Sequence, residues 1–171
     1  QGRVRALVGV AGALARAGQI DEALDVAERV KDPQGRARAL VKVAGALARA
    51  GQINRARRVA ESAVSAADQI KDFRERTWAL VGVAGALARA GEVNMVRRVA
   101  ESAVSATEQV KDPQGRVRAL VKVADALARA GEVNMVRRVA ESTMGATEQV
   151  KDPQGRVRAL VGVAGALARA G

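Results

Sequence analysis

A line of cationic residues and glycine runs along an otherwise apolar helical segment of the sequence. In residues 33–50 it comprises Arg38, Lys42, Gly45 and Arg49, at offsets 0, 4, 7 and 11. Residues at these offsets lie on one side of an α-helix. The remaining sides are apolar and must be buried, and burying an unpaired cation is costly. We therefore expect this line, called here the polar stripe, to be the exposed side of its helix and able to bind an anionic partner.

The polar stripe recurs in four other segments. Its members at the same four offsets are Arg5, Gly9, Gly12 and Arg16; Trp78, Gly82, Gly85 and Arg89; Arg118, Lys122, Asp125 and Arg129; and Arg158, Gly162, Gly165 and Arg169. From these positions the sequence predicts one ligand groove. Its candidate residues are Arg5, Arg38, Lys42, Trp78, Arg118, Lys122, Asp125 and Arg158.

Several of these residues also have purely structural interpretations. The last-turn arginines, such as Arg49, are favourable beside the carboxyl end of a helix dipole. Lys122 and Asp125 could form a surface ion pair at i, i+3. Trp78 is suited to anchoring a ligand, but it could instead cover a divergent turn together with Phe73. Both interpretations stay open at this level.

Two stripe glycines in one helix are unusual because each is unfavourable there. Gly82 and Gly85 lie mid-helix, where glycine costs about 1 kcal/mol relative to alanine. They could permit the close approach of a ligand, or they could reflect drift in a well-stabilised array.

No combination of residues indicates catalysis or metal binding. The chain has no His and no Cys, which removes the commonest general base and the thiolate ligands. Its serines therefore have no histidine to activate them, and its carboxylates are scattered along helix surfaces without forming an acid/base pair. We expect no enzyme activity, no cofactor and no metal site.

The segments that carry the polar stripe all end in ALARAG. This sequence ends at Gly18, Gly51, Gly91, Gly131 and Gly171, at intervals of 33, 40, 40 and 40 residues. A fixed period of this size indicates a repeat architecture. We expect a single array over residues 1–171, with units of approximately 1–32, 33–72, 73–112 and 113–152 and a final helix at 153–171.

Each unit is predicted to contain an A helix, which carries the polar stripe, and a B helix. Aspartate is expected to cap the A helices, followed by Pro at the first helical position in three of them. The longer B helices are expected at roughly 54–71, 94–111 and 134–151, each beginning on an asparagine cap: Asn54, Asn94 and Asn134. The first B helix is shorter, from an Asp21 cap to about Lys31. No strand pattern is visible, so nine helices in antiparallel hairpins are predicted.

The segment ALARAGQIDEALDVA, residues 13–27, resembles the tetratricopeptide (TPR) repeat. The other units keep the spacing through the glycine but have NMVRRVA in place of DEALDVA, and Leu, Val or Ala fill the usual aromatic positions. The resemblance implies an all-α, right-handed α-solenoid that is not an enzyme, with the polar stripe on its concave, ligand-binding surface. The carboxylate clamp of that family needs Asn beside Lys, and these A helices contain no Asn.

The net charge of +11 attracts acidic partners, or it serves solubility alone. We expect a non-catalytic protein-interaction scaffold that binds an acidic peptide or protein segment in a basic concave groove. One alternative is nucleic-acid binding, as in the related RNA-binding pentatricopeptide repeats; it is weakened by a content of only two aromatic residues, Phe73 and Trp78. The other alternative is a structural or sensor array within a larger multidomain protein.

Location and self-association are predicted from the same sequence. No apolar run is long enough to span a bilayer and no signal peptide is visible, so we expect a cytoplasmic protein with no membrane partner. Residues 1–18 are identical to residues 154–171, as in a segment of a longer array. Because the end helices of such a segment lack a neighbour, head-to-tail self-association is expected.

Overall fold

The computed structural model describes residues 2–171, and in these residues it contains nine α-helices and no strand. They are α1 (Gly2–Arg16), α2 (Ile20–Glu28), α3 (Pro33–Arg49), α4 (Ile53–Asp68), α5 (Phe73–Ala90), α6 (Val93–Glu108), α7 (Pro113–Arg129), α8 (Val133–Thr147) and α9 (Pro153–Ala170). The odd-numbered helices are the predicted A helices and the even-numbered helices are the B helices. Gln1, the first residue of the predicted array, lies outside the described residues.

The helices stack in chain order as an all-α solenoid of helical hairpins, which confirms the predicted fold class. Each A helix from α1 to α7 packs against the B helix that follows it and against the next A helix. Consecutive B helices, by contrast, scarcely contact one another. The side formed by the A helices is called here the concave side, because elements lie closer together on the inner side of a curved stack.

Four A helices begin at a capping aspartate, as predicted. The side-chain oxygens of these aspartates accept hydrogen bonds from backbone N–H groups two or three residues further on, and this satisfies donors that the helix leaves free. The capping residues are Asp32, Asp72, Asp112 and Asp152. Pro follows the cap in α3, α7 and α9, at the position where its missing N–H has no helical partner.

The predicted asparagine caps of the B helices are wrong. Asn54, Asn94 and Asn134 are each the second residue of their helix, and the first B helix likewise begins at Ile20, before Asp21. The capping residues are Gln19, Gln52, Glu92 and Glu132, and none of their side chains makes a capping hydrogen bond.

The turn that precedes each B helix explains this difference. Gly51 has φ of 72°, the left-handed conformation that glycine adopts readily. The N–H of Gln52 then donates to the Leu47 carbonyl at 2.9 Å, while the Gln52 carbonyl accepts from the N–H of Ala56 at 2.9 Å. One residue therefore closes the A helix and opens the B helix, and no side-chain cap is required.

The B helices also end earlier than predicted, at Glu28, Asp68, Glu108 and Thr147. A buried apolar residue lies two or three positions after each of these ends, for example Ile70. Arg76 of the next A helix donates to the Ile70 carbonyl at 2.9 Å and to the Asp68 carbonyl at 3.0 Å. Arg76 therefore stabilises the free carbonyl groups at the end of α4, and its guanidinium has a structural role.

The core consists mainly of Ala, Val and Leu side chains shared between adjacent hairpins. In the three inner repeats the leucine of ALARAG is almost fully buried, as Leu47, Leu87 and Leu127. In the outermost A helices it is partly exposed, as Leu14 and Leu167. Burial therefore depends on having neighbours on both sides.

We predict that the first hairpin is the least stable part of the array. Its B helix, α2, has nine residues, against sixteen in α6, so it buries less surface and opens at lower free energy. Hydrogen exchange should be faster in residues 2–31 than in residues 92–130. Equal protection of the two regions would contradict this prediction.

Candidate ligand groove on the A helices

The candidate groove residues lie along the concave side, on α1, α3, α5, α7 and α9. Most of the cations are exposed to solvent: Arg5, Arg38, Lys42, Arg118, Lys122 and Arg158. Trp78 and Asp125 are half-buried. Phe73, suggested as a partner of Trp78, is instead exposed, with the Arg76 guanidinium 5.5 Å from its ring centroid.

Three candidate cations surround one small cavity between α7 and α9. Arg118, Lys122 and Arg158 line a cavity of about 100 Å³ together with Val117 and Val121 of α7. None of the three cations forms a salt bridge within the described chain. Their charges are therefore free to meet an anionic group, and the two valines give the cavity an apolar wall.

Two other candidates line a larger cavity near the amino ends of α1 and α3. Arg5 and Arg38 border a cavity of about 560 Å³, along with Asp32 and Glu75. Arg38 Nη2 lies 2.8 Å from Glu75 Oε2, and Gln34 donates a hydrogen bond to the same oxygen. Because its charge is already partly neutralised, Arg38 is a weaker ligand group than Arg118 or Arg158.

Asp125 forms an ion pair with Arg169 of the next A helix. The sequence suggested instead a pair between Asp125 and Lys122, and no such pair is present. The i, i+3 partner is not used because the next A helix brings a guanidinium to the carboxylate. A stripe residue can thus reach the last-turn arginine of the following repeat.

Some stripe glycines allow neighbouring A helices to pack closely. A methyl group at Gly82 would lie 3.1 Å from Val41 Cγ1, and one at Gly162 would lie 2.6 Å from Val121 Cγ1. At Gly12, by contrast, a methyl group would meet the flexible end of a side chain, with Lys42 Cδ 2.8 Å away. At these positions the close approach is made by a neighbouring helix of the chain itself, which neither sequence interpretation anticipated.

The sequence interpretation omitted the last-turn arginines from the groove, and the structure brings three of them together. A methyl group at Gly45 would lie 3.5 Å from Arg89 Nη2 and 3.7 Å from Arg49 Nη1, so both guanidinium groups flank Gly45. Burial and the nearby charges of Arg49 and Arg129 lower the pKa of Arg89. The signal was present in the sequence as an arginine at the same stripe position in every A helix.

Other ion pairs lie on the B helices, away from the concave side. Arg97 of α6 forms a forked pair with Glu132, with nitrogen–oxygen distances of 2.9–3.1 Å. The hydrogen bonds to Glu132 raise the pKa of Arg97.

The short α2 also leaves a cavity of about 510 Å³ beside α4, lined in part by Arg55 and Arg58. The sequence gave no indication of this cavity.

We predict that alanine at Gly45 and Gly85 stabilises the fold. Both glycines are helical, and a methyl group there would make ordinary contacts of 3.5 and 3.8 Å with arginine side chains. Each substitution should raise the free energy of unfolding by about 0.5–1 kcal/mol. Thermal unfolding followed by circular dichroism measures the change. The matched control is Gly91→Ala, where φ is 74°; a rise of its melting temperature would contradict the reasoning.

Two further features concern the whole of residues 2–171. No group of three or more acidic side chains is arranged to hold a metal ion in this part of the chain. None of its helices combines the length and apolar character needed to cross a membrane.

Comparison with known proteins was made by sequence and by structure. No protein-family model matches the sequence, and no curated protein matches it significantly. Crystallised, nearly identical TPR-like repeats from a Podosopora anserina protein assigned as a kinesin light chain superpose with a TM-score of 0.65, at 19% identity over 98% of this chain and 86% of that one. Ton1535 from Thermococcus onnurineus NA1 superposes with a TM-score of 0.61, at 18% identity over 91% of this chain and 47% of that one. The chain therefore has a TPR-like helical-repeat fold.

Proposed function

We propose that the chain is a non-catalytic scaffold that binds an acidic peptide or protein segment along the concave side of its A helices. The observation that carries this proposal is the cavity lined by Arg118, Lys122 and Arg158, whose charges have no salt-bridge partner in the described chain. TPR-like repeats generally bind protein partners, and the fold supports the same kind of role here.

A protein segment fits the concave side better than single-stranded nucleic acid does. Single-strand binders combine basic grooves with several aromatic side chains on which bases stack. The A helices contain two aromatic residues, Phe73 and Trp78, and both belong to α5. The valines beside the cations favour a ligand that brings apolar side chains as well as carboxylates.

The proposal is tested by titrating the chain with fluorescein-labelled polyglutamate and following fluorescence anisotropy. The double variant Lys122→Glu, Arg158→Glu should weaken binding at least about tenfold at low salt, because two attractions become repulsions. The control is Arg137→Glu with Arg138→Glu, which makes the same charge change on the exposed surface of α8. Equal losses in both double variants would show non-specific charge attraction. Binding of poly-uridine, without binding of polyglutamate, would favour the nucleic-acid alternative, and binding of neither would favour a structural array.

We further propose head-to-tail association of the 171-residue chain. The identical sequences of α1 and α9 bury opposite sides: Val10 is 47% exposed whereas its counterpart Val163 is 3% exposed. Conversely, Val161 is 66% exposed, whereas its counterpart Val8 packs partly buried against the core. The two ends thus present complementary apolar surfaces, and contacts between them are open-ended. A cytoplasmic location stays a prediction.

A further inference from the structure

Three arginines form a row across the concave side, one on each of three consecutive A helices. The row consists of Arg49 of α3, Arg89 of α5 and Arg129 of α7, and none of them has a salt-bridge partner in the described chain. All three are exposed. Arg89 places Nη2 near Gly45 and Nη1 near Gly85, so its guanidinium faces two stripe positions that carry no side chain.

The fourth repeat shows what a carboxylate does at this stripe position. Asp125 replaces the glycine there and forms an ion pair with Arg169 of the next A helix. It also precedes Arg129 by four residues, which places it on the same side of α7. Gly45 likewise precedes Arg49 by four residues and has Arg89 at the corresponding position of the next A helix. Gly85 precedes Arg89 by four residues and has Arg129 at the corresponding position of the next A helix. In those two repeats the arginines are present and the carboxylate is missing.

We propose that the surfaces at Gly45 and Gly85 are two carboxylate sites that bind acidic side chains of an extended peptide. The first site lies between Arg49 and Arg89 and the second between Arg89 and Arg129. Each ligand carboxylate takes the place that Asp125 occupies in the fourth repeat and accepts hydrogen bonds from the guanidinium groups on either side. This inference rests on the proposed function and adds a position and a spacing to it.

The spacing of the two sites specifies the ligand. Adjacent packed helices lie about 8–10 Å apart, and α3, α5 and α7 are successive neighbours on the concave side. A peptide in the polyproline II conformation advances about 3.1 Å per residue with three residues per turn, so its side chains at i and i+3 lie on one side, about 9 Å apart. The two sites therefore select acidic residues at positions i and i+3, whereas adjacent acidic residues can reach only one site at a time.

The like charges of Arg49, Arg89 and Arg129 explain why the row favours an external anion. Partial burial and the neighbouring charges of Arg49 and Arg129 lower the pKa of Arg89. An anion bound beside it removes part of the repulsion between Arg49, Arg89 and Arg129. The stripe glycines offer Arg89 no carboxylate of their own, so a ligand has to supply it.

The test compares two labelled peptides of equal composition by fluorescence anisotropy. In one peptide two glutamates are separated by two neutral residues, and in the other the two glutamates are adjacent. We expect the spaced peptide to bind the unmodified chain at least about fivefold more tightly. Arg89→Gln should remove this preference and weaken binding of the spaced peptide about tenfold, because both sites lose a charged donor. The control is Arg98→Gln, an equal charge change on the exposed surface of α6.

A second set of variants uses the chain's own carboxylate. Gly45→Asp with Gly85→Asp should fill both sites and abolish the preference for the spaced peptide, with helicity checked by circular dichroism. Asp125→Gly should open a third site between Arg129 and Arg169 and strengthen binding of a peptide with glutamates at i, i+3 and i+6. Equal binding of spaced and adjacent peptides, with no effect of Arg89→Gln, would overturn this inference while leaving acidic-peptide binding intact. If no acidic peptide binds at all, both proposals are wrong.

Discussion

Replacing Leu127 by alanine is expected to lower the free energy of unfolding by about 2–5 kcal/mol, the range for a fully buried leucine. Leu127 is 0% exposed and lies between the hairpins on either side of α7. Removing its side chain leaves a cavity that small neighbouring residues fill poorly. The change is measured by urea titration followed by far-ultraviolet circular dichroism.

The array supplies a matched control for this substitution. Leu167 lies in the same ALARAG sequence of α9 but is 36% exposed, because no hairpin covers that side of the helix in the described chain. Leu167→Ala should therefore cost less than about half as much. Equal losses for Leu127→Ala and Leu167→Ala would mean that local helix propensity, and not packing between repeats, sets the stability.

The second large effect concerns self-association of the 171-residue chain. Multi-angle light scattering at millimolar concentration should detect oligomers of increasing size, because each head-to-tail contact leaves one free end on either side that can bind a further chain. Val161→Glu should return the chain to a monomer, since it places a charge at the centre of an apolar end surface.

Phe73→Glu is the control for the association experiment. Phe73 is also an exposed apolar residue, 41% accessible, but it lies at the start of α5, in the middle of the array. Association should survive this change. A strict monomer at millimolar concentration for the unmodified chain, or the same response to both substitutions, would contradict the head-to-tail proposal.

The fold was predictable because several independent features of the sequence agree. The period of ALARAG, the glycine after each A helix and the aspartates before the A helices all indicate helical hairpins, and the structure has them at those places. The starts of the B helices were not predictable from residue preferences. Asn54 looks like a cap, but the turn at Gly51 opens the helix through backbone hydrogen bonds of Gln52, two residues earlier.

The groove was only partly predictable, since helical periodicity describes one helix at a time. It places Lys122 and Asp125 on the same side of α7, but it does not show that Asp125 turns to Arg169 of the following helix. Nor does it show that Arg89 extends towards Gly45 of the preceding helix. Pairings between repeats depend on the distance between A helices, and the sequence of a single helix carries no information about that distance.

Acetylation of the six lysines tests most directly whether the concave side is the ligand surface. Two of them, Lys42 and Lys122, lie on the polar stripe, and the other four, Lys31, Lys71, Lys111 and Lys151, lie in the connections that precede the A helices. All six are exposed, so their relative acetylation rates, measured by mass spectrometry with and without polyglutamate, report where the ligand binds. We predict that polyglutamate slows acetylation of Lys42 and Lys122 and leaves the other four unchanged. Equal protection of all six, or protection of the connecting lysines alone, would contradict binding on the concave side.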